Sequence, residues 1–275
     1  MLHLLNKVVQ QGANLQTKTP VTEVSETPLP DGRWLVSTDR GSIKAKKVLF
    51  AANAYTSSLA PQFRNHIVPV RGICSRIVVP EGSTAPFLPQ TYALRSGPQV
   101  YDYLIPRPDG SIIVGGGKPT FWFDRSNWYD VADDSKLIEP AKSYFDGLMQ
   151  RHFIGWEHSG AYTDRVWTGS AYRPTSVQTK SFANACPVMG YSSDFMPYVG
   201  DVPGKPGQIV MAGFSGHGMP AILLTAKGVV QMLRHGAAFE DTGVPLLYRV
   251  TEERLKSTKN EIINGWQKDV FHSKD

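Results

Sequence analysis

The feature that most constrains the fold is a glycine-rich turn between a short apolar run and a helical segment. Gly213, Gly216 and Gly218 follow the apolar residues 208–212, and Pro220 stands just beyond them. Glycine has no Cβ atom, so it accepts positive φ and lets another group approach the backbone closely. Proline is favoured in the first turn of a helix. The pattern predicts a strand, a turn of unusual backbone conformation and a helix over 220–235.

The start of that helix is also a candidate binding site. The first amides of a helix have no acceptor inside it and carry a partial positive charge, which suits a phosphate or a row of carbonyl oxygens. Spacing alone leaves open a tight turn that binds nothing, because glycines serve close packing as often as binding. His217 is open to two interpretations: hydrogen-bond donor to a ligand or residue that caps the helix.

Strand and helix patterns alternate along the rest of the chain. Apolar residues at helical spacing predict an opening helix that stops at Gly12, and a hairpin follows over 34–45. The apolar run 47–52 is typical of a strand buried on both faces. Residues 67–117 are rich in β patterns, with a turn at 107–110. The order of elements predicts an α/β layer interrupted by an antiparallel α+β insertion.

Two more helices are predicted in the second half of the chain. An amphipathic pattern covers about 140–153, with Tyr144, Leu148 and Met149 on its buried side. A final helix is expected over about 251–266. Residues 170–187 lack periodicity and are interpreted as a loop or as an addition to the fold.

Composition excludes several functional classes. The 275 residues carry a net charge of +5 without any long run of like charges, so nucleic-acid binding has little support. No apolar stretch is long enough to span a membrane. Cys74 and Cys186 form no metal-ligand motif and no disulfide framework, which favours a reducing compartment such as the cytoplasm. The ending 272–275 resembles a peroxisomal signal without matching it.

Ordered motifs give a resemblance to a known family. Residues 194–200 (DFMPYVG) and 212–218 (AGFSGHG) resemble the C-terminal signature of the D-amino-acid oxidase family of flavoproteins, in particular its sarcosine and glycine oxidase branch and fungal relatives. Residues 21–24, 41–54 and 69–72 match further family segments in the same order. So does the stretch 103–117, which resembles the hairpin over the flavin.

The resemblance implies a fold and a cofactor. We expect the remainder of a glutathione-reductase-like FAD-binding domain over 1–66 and 160–275, and an antiparallel-sheet substrate domain over 67–159. The family's N-terminal βαβ unit has no counterpart in this sequence, so the chain is expected to be truncated. Gly115–Gly117 do not replace it, because no helix follows them to point amides at a phosphate. The resemblance implies FAD contacts from Val24, Ala52, Asn53, Gly190, Asp194, Gly213, Ser215, Gly216, His217, Gly218 and Met219.

The implied activity is oxidation of the carbon–nitrogen bond of an amine or amino acid, with hydride transfer to flavin and oxygen as final acceptor. Tyr101, Tyr103, Arg71 and His217 are the candidate catalytic residues. Arg95 and Arg107 join Arg71 as candidates to bind a substrate carboxylate, because the guanidinium matches its geometry. Each of these residues is also open to a structural role. Asp194 is expected to fix its own loop.

Two departures from the family pattern matter for function. Where the branch often carries a lysine after the turn, this chain has Met219 and Pro220. Cys186 lies near the position at which some members bind flavin covalently, and an inert thiol is the alternative. An inactive remnant that serves as a binding or interaction module is therefore the competing hypothesis.

Overall fold

The computed structural model describes residues 2–97, 100–168 and 188–272. Within them the chain forms thirteen strands in four sheets, together with seven α-helices. The strands are β1 (Val21–Val24), β2 (Trp34–Thr38), β3 (Gly41–Ala45), β4 (Val48–Phe50), β5 (Ile67–Val70), β6 (Ile73–Val78), β7 (Tyr92–Arg95), β8 (Tyr101–Pro106), β9 (Ile112–Gly115), β10 (Tyr162–Thr168), β11 (Met189–Ser192), β12 (Tyr198–Asp201) and β13 (Gln208–Ala212). The helices are α1 (Leu2–Gln10), α2 (Thr56–Leu59), α3 (Lys118–Phe121), α4 (Leu148–His152), α5 (Met219–His235), α6 (Glu252–Lys256) and α7 (Glu261–His272).

The predicted hairpin is confirmed as β2 and β3, and β1 joins it to form a three-stranded antiparallel sheet. Trp34 anchors this sheet to the rest of the molecule. Its side chain is fully buried, and its Nε1 donates to the carbonyl of Pro206 at 2.9 Å. A buried indole N–H needs such an acceptor.

A second three-stranded sheet supports the glycine-rich turn. Its order is β12-β13-β4, with β13 antiparallel to β12 and parallel to β4. The expectation that residues 47–52 are buried on both faces is wrong. Phe50 is buried, whereas Leu49 is 40% exposed. Among the described strands β4 pairs only with β13, so it is an edge strand that leaves Leu49 uncovered.

The largest sheet is five-stranded and antiparallel, in the order β10-β6-β9-β8-β7. One face carries Ile73, Leu104 and Val114 and packs on the main hydrophobic core, so we call it the core face. The opposite face carries Tyr103 and Tyr101, and we call it the tyrosine face. Strand β10 contributes to this sheet although it lies beyond the expected domain boundary at 159/160. The division into domains stays a prediction.

Helix α5 confirms the predicted helix after the glycine-rich turn. It ends at Gly236, whose left-handed conformation (φ +65°) lets its amide bond the carbonyl of Met232. Thr225, Gly228, Val229 and Met232 form the buried side of the helix. They pack it against the sheet of β12 and β13.

The two other predicted helices are interrupted. The single helix over 140–153 is wrong, because Gly147 adopts φ +66° and only α4 follows it. Leu148 and Met149 are nevertheless buried as expected. The single helix over 251–266 is also wrong. The helix breaks at Ser257, whose backbone is extended, and resumes as α7.

None of the helices among the described residues has both the length and the apolar character needed to cross a membrane. The predicted loop at 170–187, and Cys186 within it, lies outside the described residues.

Candidate functional site

The glycine-rich turn is held from outside by one side chain. The Oδ1 atom of Asn53 accepts hydrogen bonds from the amides of Gly213 and Phe214, at 3.0 and 3.3 Å. Asn53 itself adopts φ +46°, a region in which asparagine is enriched among residues other than glycine. The side-chain oxygen of Asn53 therefore positions the end of β13. The predicted contact between Asn53 and a cofactor would have to involve other atoms of this residue.

Ser215 continues the same arrangement. Its amide donates to the carbonyl of Gly190 at 2.8 Å, and its hydroxyl lies 3.1 Å from that of Ser192. Gly190 is required by close approach, since a Cβ atom there would lie 2.7 Å from both the Ala54 amide nitrogen and the Asn53 Oδ1. The structure thus brings together Asn53, Gly190, Gly213 and Ser215, and their contact with FAD stays a prediction. The polar groups just described form bonds within the protein.

The remaining amides of the turn divide into two sets. The amide of His217 donates to the carbonyl of Phe214 at 2.9 Å, so the expectation that it faces a ligand is wrong. Within the described residues, the amides of Gly216, Gly218 and Met219 have no hydrogen-bond acceptor. Met219 is the first residue of the 17-residue α5, Gly218 caps it and Gly216 precedes it by three residues. Gly216 and Met219 are exposed, whereas Gly218 is buried. This end of the turn keeps the character of an anion site.

The imidazole of His217 points back to its own turn. Its Nδ1 lies 2.9 Å from the carbonyl oxygen of Ser215. A carbonyl accepts only, so Nδ1 carries a proton and donates this hydrogen bond. The ring is exposed.

Asp194 is fixed by an arginine that sequence reasoning missed. The guanidinium of Arg254 binds both carboxylate oxygens, at 2.9 and 3.1 Å, and also donates to the carbonyls of Met196 and Pro197. It stacks over the ring of Tyr198 at 3.9 Å. Asp194 in addition accepts from the amide of Met196. The aspartate fixes its loop, as expected, and no local motif could have located a partner 60 residues away.

Two further predicted cofactor contacts lie at the base of this region. Val24 is at the end of β1 and packs in the cluster that contains Phe50, Val210 and Ala212. Ala52 directly precedes the 3-10 helix Asn53–Tyr55. Val24 therefore has a packing role in the core beneath the turn.

Four of the predicted substrate-side residues share the tyrosine face. Tyr101 and Tyr103 alternate with the buried Asp102, and Arg95 pairs with Tyr101 across β7 and β8. Arg107 continues the alternation beyond β8, where its amide donates to Ser111. Strand register, which the sequence did not specify, brings Cys74 and Trp167 onto the same face.

The ring of Tyr103 lies over Gly115. A Cβ atom at Gly115 would come within 2.2 Å of the Cζ and Oη atoms of the tyrosine. The absence of that atom allows the phenol to reach Cys74, whose Sγ lies 3.0 Å from Oη. Either atom can be the donor of this hydrogen bond.

Arg71 does not share this face. It is 7% exposed, and its guanidinium donates to the carbonyls of Asn127, Asp133 and Lys136. These bonds fix the loop after α3. Arg71 therefore has the structural role that the sequence left open, and it does not belong to the proposed site.

The Gly116–Gly117 turn is held by a buried carboxylate. Asp102 accepts from the amide of Gly117 at 2.9 Å and from the hydroxyl of Tyr144 at 2.7 Å. Burial, and secondarily the Asp102 carboxylate, raises the pKa of the Tyr144 phenol well above its usual value. The amide of Gly116 donates to Ile73. Because both amides are used, these glycines do not form a phosphate-binding loop. The prediction that no helix follows them is wrong, since the four-residue α3 starts directly after Gly117.

Comparison with known proteins identifies the family. The family model of FAD dependent oxidoreductases (DAO) matches residues 1–232. The chain belongs to this family. The cofactor of the family is FAD, and its solved relatives include amine and amino-acid oxidases.

Solved structures of low sequence identity share the fold. Amadoriase I, a fructosyl amine:oxygen oxidoreductase from Aspergillus fumigatus, is 14% identical with a TM-score of 0.63, over 92% of this chain and 54% of that one. Glycine oxidase from Bacillus cereus ATCC 14579 is 15% identical with a TM-score of 0.61, over 90% and 57%. The chain thus spans just over half the length of these proteins.

A curated relative matches a shorter part. The probable oxidoreductase OrdL of Rhizobium meliloti (strain 1021) is 26% identical over 113 residues, which are 41% of this chain and 26% of that protein.

The residues of the turn fit one end of FAD. Amides without an acceptor beside a helix start suit the carbonyl oxygens of the pyrimidine ring, which gain negative charge on reduction. Gly216 adopts φ +77°, a conformation that suits glycine, and its Cβ direction faces Met189 and Tyr191.

Proposed function

We propose that this family member contributes the ring-binding and substrate-binding parts of a FAD-dependent oxidoreductase acting on an amine or amino acid. The observation that carries the proposal is the set of amides of Gly216, Gly218 and Met219 at the start of α5. FAD bound there supplies the chemistry, by taking a hydride from the carbon attached to nitrogen and passing electrons to an acceptor such as oxygen.

The turn would orient the ring and stabilise the charge that develops on it. The three amides are fixed before any ligand arrives, because Asn53, Gly190 and Ser192 hold the surrounding backbone. Donors that need no reorganisation are the effective ones in such a site.

The tyrosine face would bind the substrate. Tyr101 is 51% exposed and Tyr103 is half-buried on the same side of β8. Arg95, at the Tyr101 end of the face, remains the candidate for a substrate carboxylate, as a guanidinium matches that group. This assignment does not depend on a lysine after the turn.

A binding module without catalysis is the second candidate. Helix α5 exposes an apolar stripe beside its buried side, where Met219 is 85%, Leu223 67% and Val230 45% exposed. Leu49 of the edge strand β4 lies on the same side of the sheet as Ile209, which packs against α5. An exposed apolar surface of this kind is typical of interaction sites.

Absorbance of the purified chain distinguishes the two functions. The protein is incubated with FAD, freed of unbound cofactor by gel filtration and scanned for the visible flavin bands. We expect stoichiometric flavin and its bleaching by a suitable amine or amino acid. A colourless protein after this treatment would favour the binding module.

A further inference from the structure

A surface cavity lies at the end of helix α5 that is remote from the glycine-rich turn. Its volume is about 480 Å³, and its lining includes Met232 of α5 and Asp201 of β12. Small-molecule sites have cavities of this size. Met232 is about 20 Å along the helix from Met219, and Asp201 pairs with Ile209, near the start of β13. The cavity is therefore separate from the turn that follows β13.

The floor of the cavity is apolar. Met232, Phe239 and Val250 line it and are buried. Gly200 adopts φ +117°, and a Cβ atom at this position would lie 3.1 Å from Cδ2 of Phe239. The glycine thus allows the ring to lie against β12. An apolar floor favours a ligand with an apolar body over a bare ion.

The rim of the cavity has an excess of negative charge. Among the residues that line it, Asp201, Glu240 and Glu253 are acidic, and Arg249 is basic. Arg249 donates to the carboxylate of Glu240, and its guanidinium lies 5.8 Å from the centroid of the Phe239 ring. Because this ion pair neutralises both of its members, two negative charges remain on the rim.

The two remaining carboxylates can receive a cation. Within the described part of the chain, neither Asp201 nor Glu253 forms an ion pair, and the two cations of α6, Arg254 and Lys256, bind other carboxylates. Glu253 accepts a hydrogen bond from the hydroxyl of Thr251, but a carboxylate has about four acceptor positions. An ammonium group donates three hydrogen bonds and matches such a pair of acceptors.

We propose that this cavity binds an organic cation with a short apolar body, such as a protonated primary amine. The ammonium group lies at Asp201 and Glu253, and the apolar body lies on the floor. The inference goes beyond the proposed function, because the cavity is remote from the turn and takes no part in flavin chemistry. The net charge of the rim disfavours carboxylate ligands.

Hexylamine and hexanoate distinguish a cationic ligand from an anionic one of the same length. The full chain is labelled with carbon-13 at the methyl groups of its seven methionines, and Met232→Leu identifies the signal of Met232. We expect hexylamine at neutral pH to shift this signal saturably, since Met232 lies in the floor. Hexanoate should bind at least fivefold more weakly, because the two carboxylates repel it.

Substitutions on the rim test the contribution of its charges. Asp201→Asn and Glu253→Gln should each weaken hexylamine binding about fivefold, the upper range expected for an exposed ion pair. Glu81→Gln is the control, because it removes an exposed carboxylate that does not line the cavity. This variant should keep the affinity of the wild type.

Three results would overturn the proposal. They are the absence of a saturable shift of the Met232 signal, a hexanoate affinity equal to or above that of hexylamine, and equal hexylamine affinities in Asp201→Asn and Glu81→Gln. The comparison of the two ligands uses the wild type alone, so it decides the matter even where a rim variant does not fold.

Titrations with and without FAD separate this inference from the proposed function. Flavin absorbance is recorded before each titration. A colourless chain whose Met232 signal responds to hexylamine keeps the cavity site and contradicts the flavoprotein proposal. A flavin-loaded chain whose Met232 signal does not respond contradicts the cavity site alone.

Discussion

The glycine-rich turn and the tyrosine face are built by different means. The turn is a local structure, stabilised by glycines and by one asparagine. Among the described residues, the amides of Gly213, Phe214, Ser215 and His217 donate hydrogen bonds within the protein, whereas those of Gly216, Gly218 and Met219 do not. The tyrosine face depends on the register of five strands, which pairs Trp167 with Cys74 and Gly115 with Tyr103.

That difference explains what the sequence could predict. The glycines, Pro220 and Gly236 specify α5 and its turn through local backbone preferences, so this part was found correctly. The Arg254–Asp194 pair, which joins residues far apart in sequence, was not found. Neither was the position of Trp167, because a strand pattern predicts which residues alternate but not which strands pair. The left-handed Gly147 and the extended Ser257 broke two helices that periodicity had predicted as continuous.

We expect the largest loss of stability from a substitution that disrupts the glycine-rich turn. Asn53→Ala removes the acceptor of two amides, and we expect the free energy of unfolding to fall by about 2–4 kcal/mol, with loss of flavin uptake. Urea unfolding measures the first quantity and absorbance the second. Asn65→Ala is the control: Asn65 also has positive φ (68°) but is exposed, so it should lose only about 1 kcal/mol. Equal losses in the two variants would contradict the role of the Asn53 carbonyl.

The next effect concerns the loop beside the turn. Arg254→Met removes two bonds to Asp194 and the stacking on Tyr198. Because the arginine side chain is only 17% exposed, we expect a loss of about 1–3 kcal/mol in urea unfolding. The exposed pair of Lys256 and Glu252 is the comparison, and Lys256→Met should leave the free energy of unfolding almost unchanged. An equally small change in Arg254→Met would contradict the account.

A substitution with a smaller effect on stability should distinguish the functions of the turn and of the tyrosine face. In Gly115→Ala the new methyl group displaces the far end of the Tyr103 ring, which can rotate away at a cost of about 1 kcal/mol or less. We expect the affinity for an amino-acid substrate to weaken and flavin absorbance to remain. Loss of flavin with unchanged substrate affinity would show that the assignment of the two regions is reversed.

The smallest effect is a pH dependence near Asp194. Burial holds the pKa of the His66 imidazole below its usual value, although Asp194 opposes the shift. The folded state therefore resists protonation, and its contribution to stability is present above about pH 6.5 and lost as the pH falls. Urea unfolding of His66→Gln should show a shallower loss between about pH 7.5 and 5.5. The exposed His158 supplies the control His158→Gln, which should keep the wild-type slope.

Binding of lumiflavin, the flavin ring without its dinucleotide, tests most directly whether the start of α5 holds the ring. Gly216→Ala adds left-handed strain (φ +77°) and places a methyl group 3.3 Å from Met189 Sδ and 3.4 Å from Tyr191 Oη, and Gly236→Ala imposes a similar strain (φ +65°) in open space at the other end of α5. Fluorescence titration should show that the wild type and Gly236→Ala bind lumiflavin and that Gly216→Ala binds it at least tenfold more weakly. Equal binding by all three proteins, or by none, would contradict the claim.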